Sequence, residues 1–522
     1  MIERIVSVIK NINKFCTHNK LFFKDFKNNT YTNIILIEVN LLRDCHITNS
    51  YIANILSKIF QAQIYGYTLK FNNFFNFFAY KLKKFLNIDY FKIYKSFNIV
   101  KFIYYKKNFF YLANLANKIF DKIKKKEDIF NIKIYSVLVG DLIYDGYLRK
   151  YNYATIDIKN KNFKYYLLNF VQIFDYWHNF IRSNPVKAII VSDTAYEMGI
   201  FSKIAFHLNI PVFVSNPLRI LRLSKQNPNL FEMKYYKRDF NKYKEREKKY
   251  ITKIGKKYVK KRFLGEKTIE HVVSNLPKIN LFTKSENVQK KILSNLNKTK
   301  CLIAAHHFSD APNAWGRLLF SDFFDWLEFV GKGSKNLGYE FYLRFHPLDE
   351  SSNRKFADYF VKKYNFKLIP SHISHTQLIK EGIDLVLTGF GTIGFEYAYH
   401  KIPVINASLN NPHICYNFNI HPKNKKEYMH ALRNFKNYKL NFDKTQLYQY
   451  YYMRYLNTFR LYENIEFGYE ALTDQSANSY NNWINNFDIN IHNNLLEDIQ
   501  KFISSKKYKF KNELFRDKKK YN

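Results

Sequence analysis

In LRFHPLDE, residues 343 to 350, a histidine stands between an apolar run and a proline, two positions after an arginine. A strand ending at Arg344 and stopped by Pro347 leaves His346 on the strand's carboxyl edge. There a ring N–H can donate to a phosphate oxygen, and a group that charges near neutral pH suits stabilisation of a leaving group. Further on, TGFGTIGFEYAYHKIPVINAS (388 to 408) takes an apolar strand straight into a glycine-rich turn, in a chain with only 15 glycines in 522 residues. Gly389, Gly391 and Gly394 lack a Cβ, so backbone N–H groups and a helix N-terminus can come close to a phosphate, with Thr388 and Thr392 adding hydroxyls. The competing reading is a tight strand-to-helix turn. The spacing is GxGxxG, but a dinucleotide fingerprint opens the first strand of a domain and is followed about 20 positions later by an acidic residue. Glu396, in the first turns of the following helix, either accepts from ribose hydroxyls or complements the helix dipole.

A hydroxyl that is to attack as a nucleophile needs a general base, usually a carboxylate. Asp141 is the first candidate and Asp145 the second, both in GDLIYDGYLR after the apolar IYSVLV; each alternatively caps a helix or forms a turn. Arg149 of the same segment neutralises an anionic acceptor or pairs with Asp145. Ser192, Asp193 and Tyr196 follow the apolar AIIV and either face a substrate or cap the next helix. His307, Ser309 and Asp310 follow CLIAA and are placed in the cleft between two halves of the chain. Adjacent His306 and His307 point opposite ways on a strand, which argues against a shared metal, and His413 and His421 fit no metal motif. No metal site and no cofactor are predicted.

Apolar β-branched runs alternate with segments of helical spacing, which predicts parallel sheets covered on both faces. In the first half these are NIILIEVN, SYIANILSKIFQAQ, IYGY, VKAIIVSDTAY and GIFSKIAFHLNIPVFVS. Residues 71 to 130 read as amphipathic helices whose Phe faces pack on the core or on lipid, and 132 to 150 as a strand and a loop. A second series starts at KCLIAAHHF and runs to PVINAS. The fold class is therefore α/β with two Rossmann-like domains facing across a cleft, residues 1–265 and 266–440, followed by a helical extension with a basic tail over 441–522.

RFHP followed by GTIGFEYAYHKIPVINA resembles the carboxyl-terminal half of GT-B glycosyltransferases of bacterial capsule and surface-polysaccharide synthesis. The RxHP element is similar to that of Kdo and sialic acid transferases and of teichoic acid glycerophosphotransferases, which use cytidine-nucleotide donors. GDLIYDGYLR and FSDAPNAWG look like segments of capsule-type transferases as well. The resemblance is firmest over 300 to 425. It implies that His346 binds the donor phosphate, that Thr388, Gly391 and Thr392 contact phosphate or nucleotide, and that Glu396 holds the ribose. It implies a nucleotide-sugar donor, CMP-linked where the RxHP likeness carries over, bound by residues 266–440, and a glycan or lipid-linked acceptor bound by residues 1–265. The acidic D/E-D/E-G element of sialyltransferases is not found intact.

Lys and Arg number 84 against 43 Asp and Glu, a formal +41, which draws anionic partners. Lys, Asn, Ile, Phe and Tyr are abundant together, so an AT-rich coding bias accounts for much of the excess. A nucleic-acid-binding protein is the alternative from another class, but the basic residues are spread widely and no RNP, KH or zinc-finger motif occurs. An epimerase acting on a nucleotide sugar has the same twin architecture and is the other alternative. Hydrophobic residues at 47% suffice for packed cores and argue against disorder. Cys16, Cys45, Cys301 and Cys415 lie far apart, as in a reducing cytosol. The N-terminal apolar stretch is too short and interrupted for a signal peptide, and no run of about 20 apolar residues occurs. The expectation is a cytoplasmic protein, peripheral at most to an anionic inner membrane, with no nucleic-acid partner.

Overall fold

The computed structural model describes residues 2–26, 30–39, 43–69, 74–86, 90–106, 113–216, 219–230, 233–264, 266, 291–294, 296–314, 317–345, 350–370, 372–457, 480, 484–485 and 488–510. The first half holds β1 (Asn33–Glu38), β2 (Ala62–Thr68), β3 (Ile99–Tyr104), the short β4 (Lys133–Ile134) and β5 (Val137–Leu138), then β6 (Val186–Val191), β7 (Val212–Asn216) and β8 (Arg219–Leu223). Six of them form one sheet in the order β3-β2-β1-β6-β7-β8. All neighbours are parallel except β8 on β7. In β1, Ile34 and Leu36 enter one core while Ile35 and Ile37 enter another on the opposite face. Burying an Ile or Leu contributes about 1.5–3 kcal/mol against about 1–2 kcal/mol for ordering its backbone, so a run buried on both faces holds a strand.

The second half repeats the plan with β9 (Lys300–Ala304), β10 (Glu340–Arg344), β11 (Lys367–Leu368), β12 (Leu385–Thr388) and β13 (Val404–Asn406), ordered β11-β10-β9-β12-β13 and all parallel. In both sheets the strand order reverses beside the first strand, between β1 and β6 and between β9 and β12. Ligands of doubly wound sheets bind at that switch point, beyond the carboxyl ends.

Two expectations are corrected, and one strand is added. Residues 71 to 130 are not all helical, because Ile99–Tyr104 forms the edge strand β3. Within it the neighbours Val100 and Lys101 are both exposed and Phe102 and Ile103 both buried, and this lack of clean alternation hid it. Residues 132 to 150 are not strand and loop. They form the β4–β5 hairpin, turned through Tyr135 and Ser136 at φ 49° and 66°, and then the helix Gly140–Tyr151. The strand β8, Arg219–Leu223, was not foreseen at all.

Two segments cross between the halves. The helix Glu245–Phe263 packs on Lys444–Tyr451, where a Cβ on Gly255 would lie 2.2 Å from the Tyr448 carbonyl oxygen. From the chain's far end, the helix Ile489–Ser504 returns to the first sheet: Leu495, Ile499, Phe502 and Ile503 share a core with Ile35 and Ile37.

Candidate functional site

Arg344 and Thr388 are both in register with Ala304, so the ends of β10, β9 and β12 form one row. Just past that row comes His306. Its Nε2 accepts from the Phe390 N–H at 3.2 Å and lies 3.4 Å from Thr388 Oγ1, which accepts from the Gly391 N–H at 3.3 Å. The ring stacks on Phe323 with centroids 4.9 Å apart. A Cβ on Gly389 would lie 3.0 Å from His306 Cδ2, and one on Gly394 only 2.4 Å from His413 Cε1 and 2.8 Å from Asn419 Nδ2. Side chains thus close on the backbone at both positions, so tightly at Gly394 that His413 and Asn419 would have to shift to admit a Cβ; among the described residues the glycines at positive φ are Gly338 and Gly382. The N–H groups of Phe390 and Gly391 are engaged inside the turn, while Thr392 at its tip is exposed and its hydroxyl makes no cap. His346 lies outside the described residues.

Arg344 and Glu396 are both buried. Arg344 is buried near His375 and Tyr397, and His375 Nδ1 bonds the Tyr397 hydroxyl at 2.9 Å. Burial first, then the charges of Arg344 and Arg262, hold the His375 pKa well below the usual histidine range, so the ring is neutral. Buried Glu396 forms an ion pair with Arg262 of the helix Glu245–Phe263, whose Nε donates at 2.9 Å.

The first-half candidates gather at the junction between the two sheets. Asp141, Asp145 and Arg149 sit four residues apart on the helix Gly140–Tyr151, and that spacing puts all three on one side. Asp145 is buried and reaches across: Asn313 donates to it through its backbone N–H at 3.1 Å and its Nδ2 at 2.7 Å. Tyr196 makes a second crossing, donating to Asp310 Oδ1 at 3.0 Å. Burial raises the Asp145 pKa well above the carboxylate range; the Asn313 bonds oppose this, and the charges of Asp141 and Asp310 add to it. Asp193 is raised by burial and by Asp310 although its Oδ1 caps the turn through the N–H groups of Thr194 and Ala195. Asp141 pairs with Lys203 at 2.7 Å and Arg149 is exposed. His307 Nδ1 bonds Ser309 Oγ at 2.9 Å, bracing the loop that carries Asp310.

One loop thus joins the two regions: residues 306 to 313 contact the glycine turn through His306 and the first half through Asp310 and Asn313. A third crossing lies beside it. Asp322, buried at the cap of the helix Phe323–Ser334, accepts from Tyr144 at 2.5 Å, Thr155 at 2.7 Å and Lys126 at 3.3 Å.

Sequence reasoning missed Asn313, although it lies in FSDAPNAWG, because an amide shows no titratable signal. It also missed Glu38, the acidic residue ending β1, which accepts from both the N–H and the hydroxyl of Ser192 at 2.7 and 2.6 Å across the first switch point. Its place at a strand's carboxyl end was the available signal. Burial raises the Glu38 pKa, the Ser192 bonds oppose this, and the Asp193 charge adds to it. Among the described residues, no cluster of three or more His, Cys, Asp or Glu is arranged to hold a metal ion.

No family model matches the chain, and no curated protein does. Among solved structures, the chain is similar to the UDP-GlcNAc 2-epimerase of Neisseria meningitidis bound to UDP-GlcNAc, at 8% identity and a TM-score of 0.22, over 87% of this chain and 99% of that one. It is similar to KpsC of Thermosulfurimonas dismutans, a β-Kdo 2,4 transferase, at 12% and 0.30, over 51% and 88%. It is also similar to the wall teichoic acid polymerase TagF at 10% and 0.21, over 95% and 99%.

Proposed function

We propose that the chain is a GT-B glycosyltransferase of surface-polysaccharide synthesis that moves a sugar from a nucleotide donor, CMP-linked in our reading, to a glycan or lipid-linked acceptor. The donor lies at the carboxyl edge of the second sheet, where Thr392 is open at the end of the glycine turn and His346 follows the end of β10. The acceptor lies over the helix Gly140–Tyr151. Asp145 takes the proton of the attacking hydroxyl as oxygen bonds to the anomeric carbon, and the sugar–phosphate bond breaks toward the nucleotide, whose phosphate keeps the electron pair. A carboxylate of raised pKa is a stronger base than an ordinary one, and burial beside Asp141 and Asp310 supplies that.

The observation that carries this reading is the loop 306 to 313, which bonds the glycine turn at one end and the base at the other. Donor and acceptor regions are thereby held to one geometry, as transfer between bound partners requires.

The test is thermal melting with CMP, CDP, UDP and GDP, on the native chain and on His346→Ala and Thr392→Val. A nucleotide at about 100 times its Kd adds about 2.7 kcal/mol of stability, about 2–3 °C in Tm for a chain of this length. Stabilisation by a cytidine nucleotide that both substitutions weaken is expected. A preference for UDP or GDP would remove the cytidine assignment, and no response to any nucleotide would remove the transferase.

A further inference from the structure

The helix Phe74–Leu86 carries Phe78 at 59% exposure, Leu82 at 49%, Phe85 at 86% and Leu86 at 52%. At about 100° of rotation per residue these four fall within an arc of roughly 100°. Single exposed apolar side chains are ordinary on a protein surface, but a continuous stripe of two phenylalanines and two leucines marks a contact face. Lys81 and Lys83 flank the arc on its two sides. Lys84 lies close enough to Lys95 and Lys101 for burial, and then those two charges, to lower its pKa. The stripe is thus set in a field of like positive charge that an anionic surface relieves.

We propose that this helix docks the protein on a bilayer containing anionic phospholipid, lying in the plane of the interface with Phe78, Leu82, Phe85 and Leu86 in the acyl boundary and the lysines at the headgroups. Apolar arc and flanking cations are the pattern of an in-plane amphipathic helix, and each lysine adds attraction to acidic lipid. Lipid fits better than the other occupants. A nucleic acid could stack bases on Phe78 and Phe85 but would leave Leu82 and Leu86 in water, whereas an acyl boundary takes all four, and a second copy of the same cationic face would meet repulsion. The helix follows β2 in the half that holds the proposed acceptor region. Among the described residues no helix is long and apolar enough to cross a membrane. The inference goes beyond the transferase reading and does not depend on it: vesicle binding and nucleotide binding can each fail while the other stands.

The test is sedimentation of the full chain with vesicles of phosphatidylglycerol in phosphatidylcholine and with vesicles of phosphatidylcholine alone. Binding at least about tenfold stronger to the anionic vesicles is expected. Phe78→Ser with Phe85→Ser should reduce it by about tenfold or more, and Lys81→Gln with Lys83→Gln and Lys84→Gln should abolish the preference between vesicles. Phe78, Lys81 and Phe85 are exposed and Lys83 and Lys84 half-buried, so an unchanged melting temperature serves as the folding control. As a second reading, the emission of Phe85→Trp should shift to the blue on adding anionic vesicles and stay unmoved with phosphatidylcholine. Binding that the serine pair leaves intact, no binding to either vesicle, or a dimer or an oligonucleotide complex that the serine pair disrupts would each overturn the proposal.

Discussion

Asp145 offers a measurement of the proposed base that needs no knowledge of the substrate. Its buried carboxyl holds a proton to higher pH than the same group in the unfolded chain, where the pKa is about 3.9. The folded state therefore binds more protons between those two values, and stability falls as pH rises through that window, by about 1.4 kcal/mol per pH unit for one group. Asp145→Asn abolishes this contribution, so its stability relative to the native chain should grow by about 1.4 kcal/mol per unit across the window. Asn313→Ala acts in the opposite direction. It deletes a 2.7 Å bond from Nδ2 while the backbone donor stays. That bond is worth about 1.5–3 kcal/mol to the carboxylate and about 0.5–1.5 kcal/mol to the neutral acid, so the Asp145 pKa should rise by about one unit. Urea unfolding at steps from about pH 5 to about pH 9 reads both effects, and differences between variants cancel every other titrating group. Curves for the native chain and Asp145→Asn that run parallel to within about 0.5 kcal/mol would refute the assignment of a raised pKa. With a substrate in hand, the acidic limb of kcat/KM should move up by about one unit in Asn313→Ala and lose its Asp145 contribution in Asp145→Asn.

Removing Asp322 by Asp322→Ala leaves Tyr144, Thr155 and Lys126 without their shared acceptor. The expected loss is about 3–5 kcal/mol by urea unfolding, and a loss below about 1 kcal/mol would show that the crossing does not hold the halves together. Glu396→Gln leaves the Arg262 charge buried, and Arg262→Ala leaves Glu396 likewise; each should lower stability by about 3 kcal/mol. A weaker nucleotide response in Glu396→Gln alone would identify the ribose contact, and an equal response in both would exclude it. Gly394→Ala drives a Cβ into His413 and Asn419, which are buried, and although alanine favours a helix by about 1 kcal/mol, overpacking of up to about 3 kcal/mol should leave it about 1–2 kcal/mol less stable. A neutral or stabilising result would show that those side chains can move.

The apolar runs at 33, 186, 300, 340 and 385 were legible as parallel strands because burial on both faces leaves an uninterrupted signal in the chain itself. The glycine turn was legible for a related reason, since glycine is scarce here and stands where backbone and side chain must touch. Edge strand β3 and the β4–β5 hairpin were not, because partial exposure breaks the alternation that would reveal them. The helix under Asp141, Asp145 and Arg149 was announced only by their spacing of four. Local sequence thus determined the buried strands of the two sheets and which residues stand at their carboxyl ends, but not the edge strands β3 and β8. Tertiary structure alone decided that Asn313 would meet Asp145, that Tyr196 would meet Asp310, and that Glu396 would be paired with Arg262, 134 residues away. Such contacts depend on how separate elements dock, and a hydrogen bond between distant residues leaves no periodicity in either segment from which to read it.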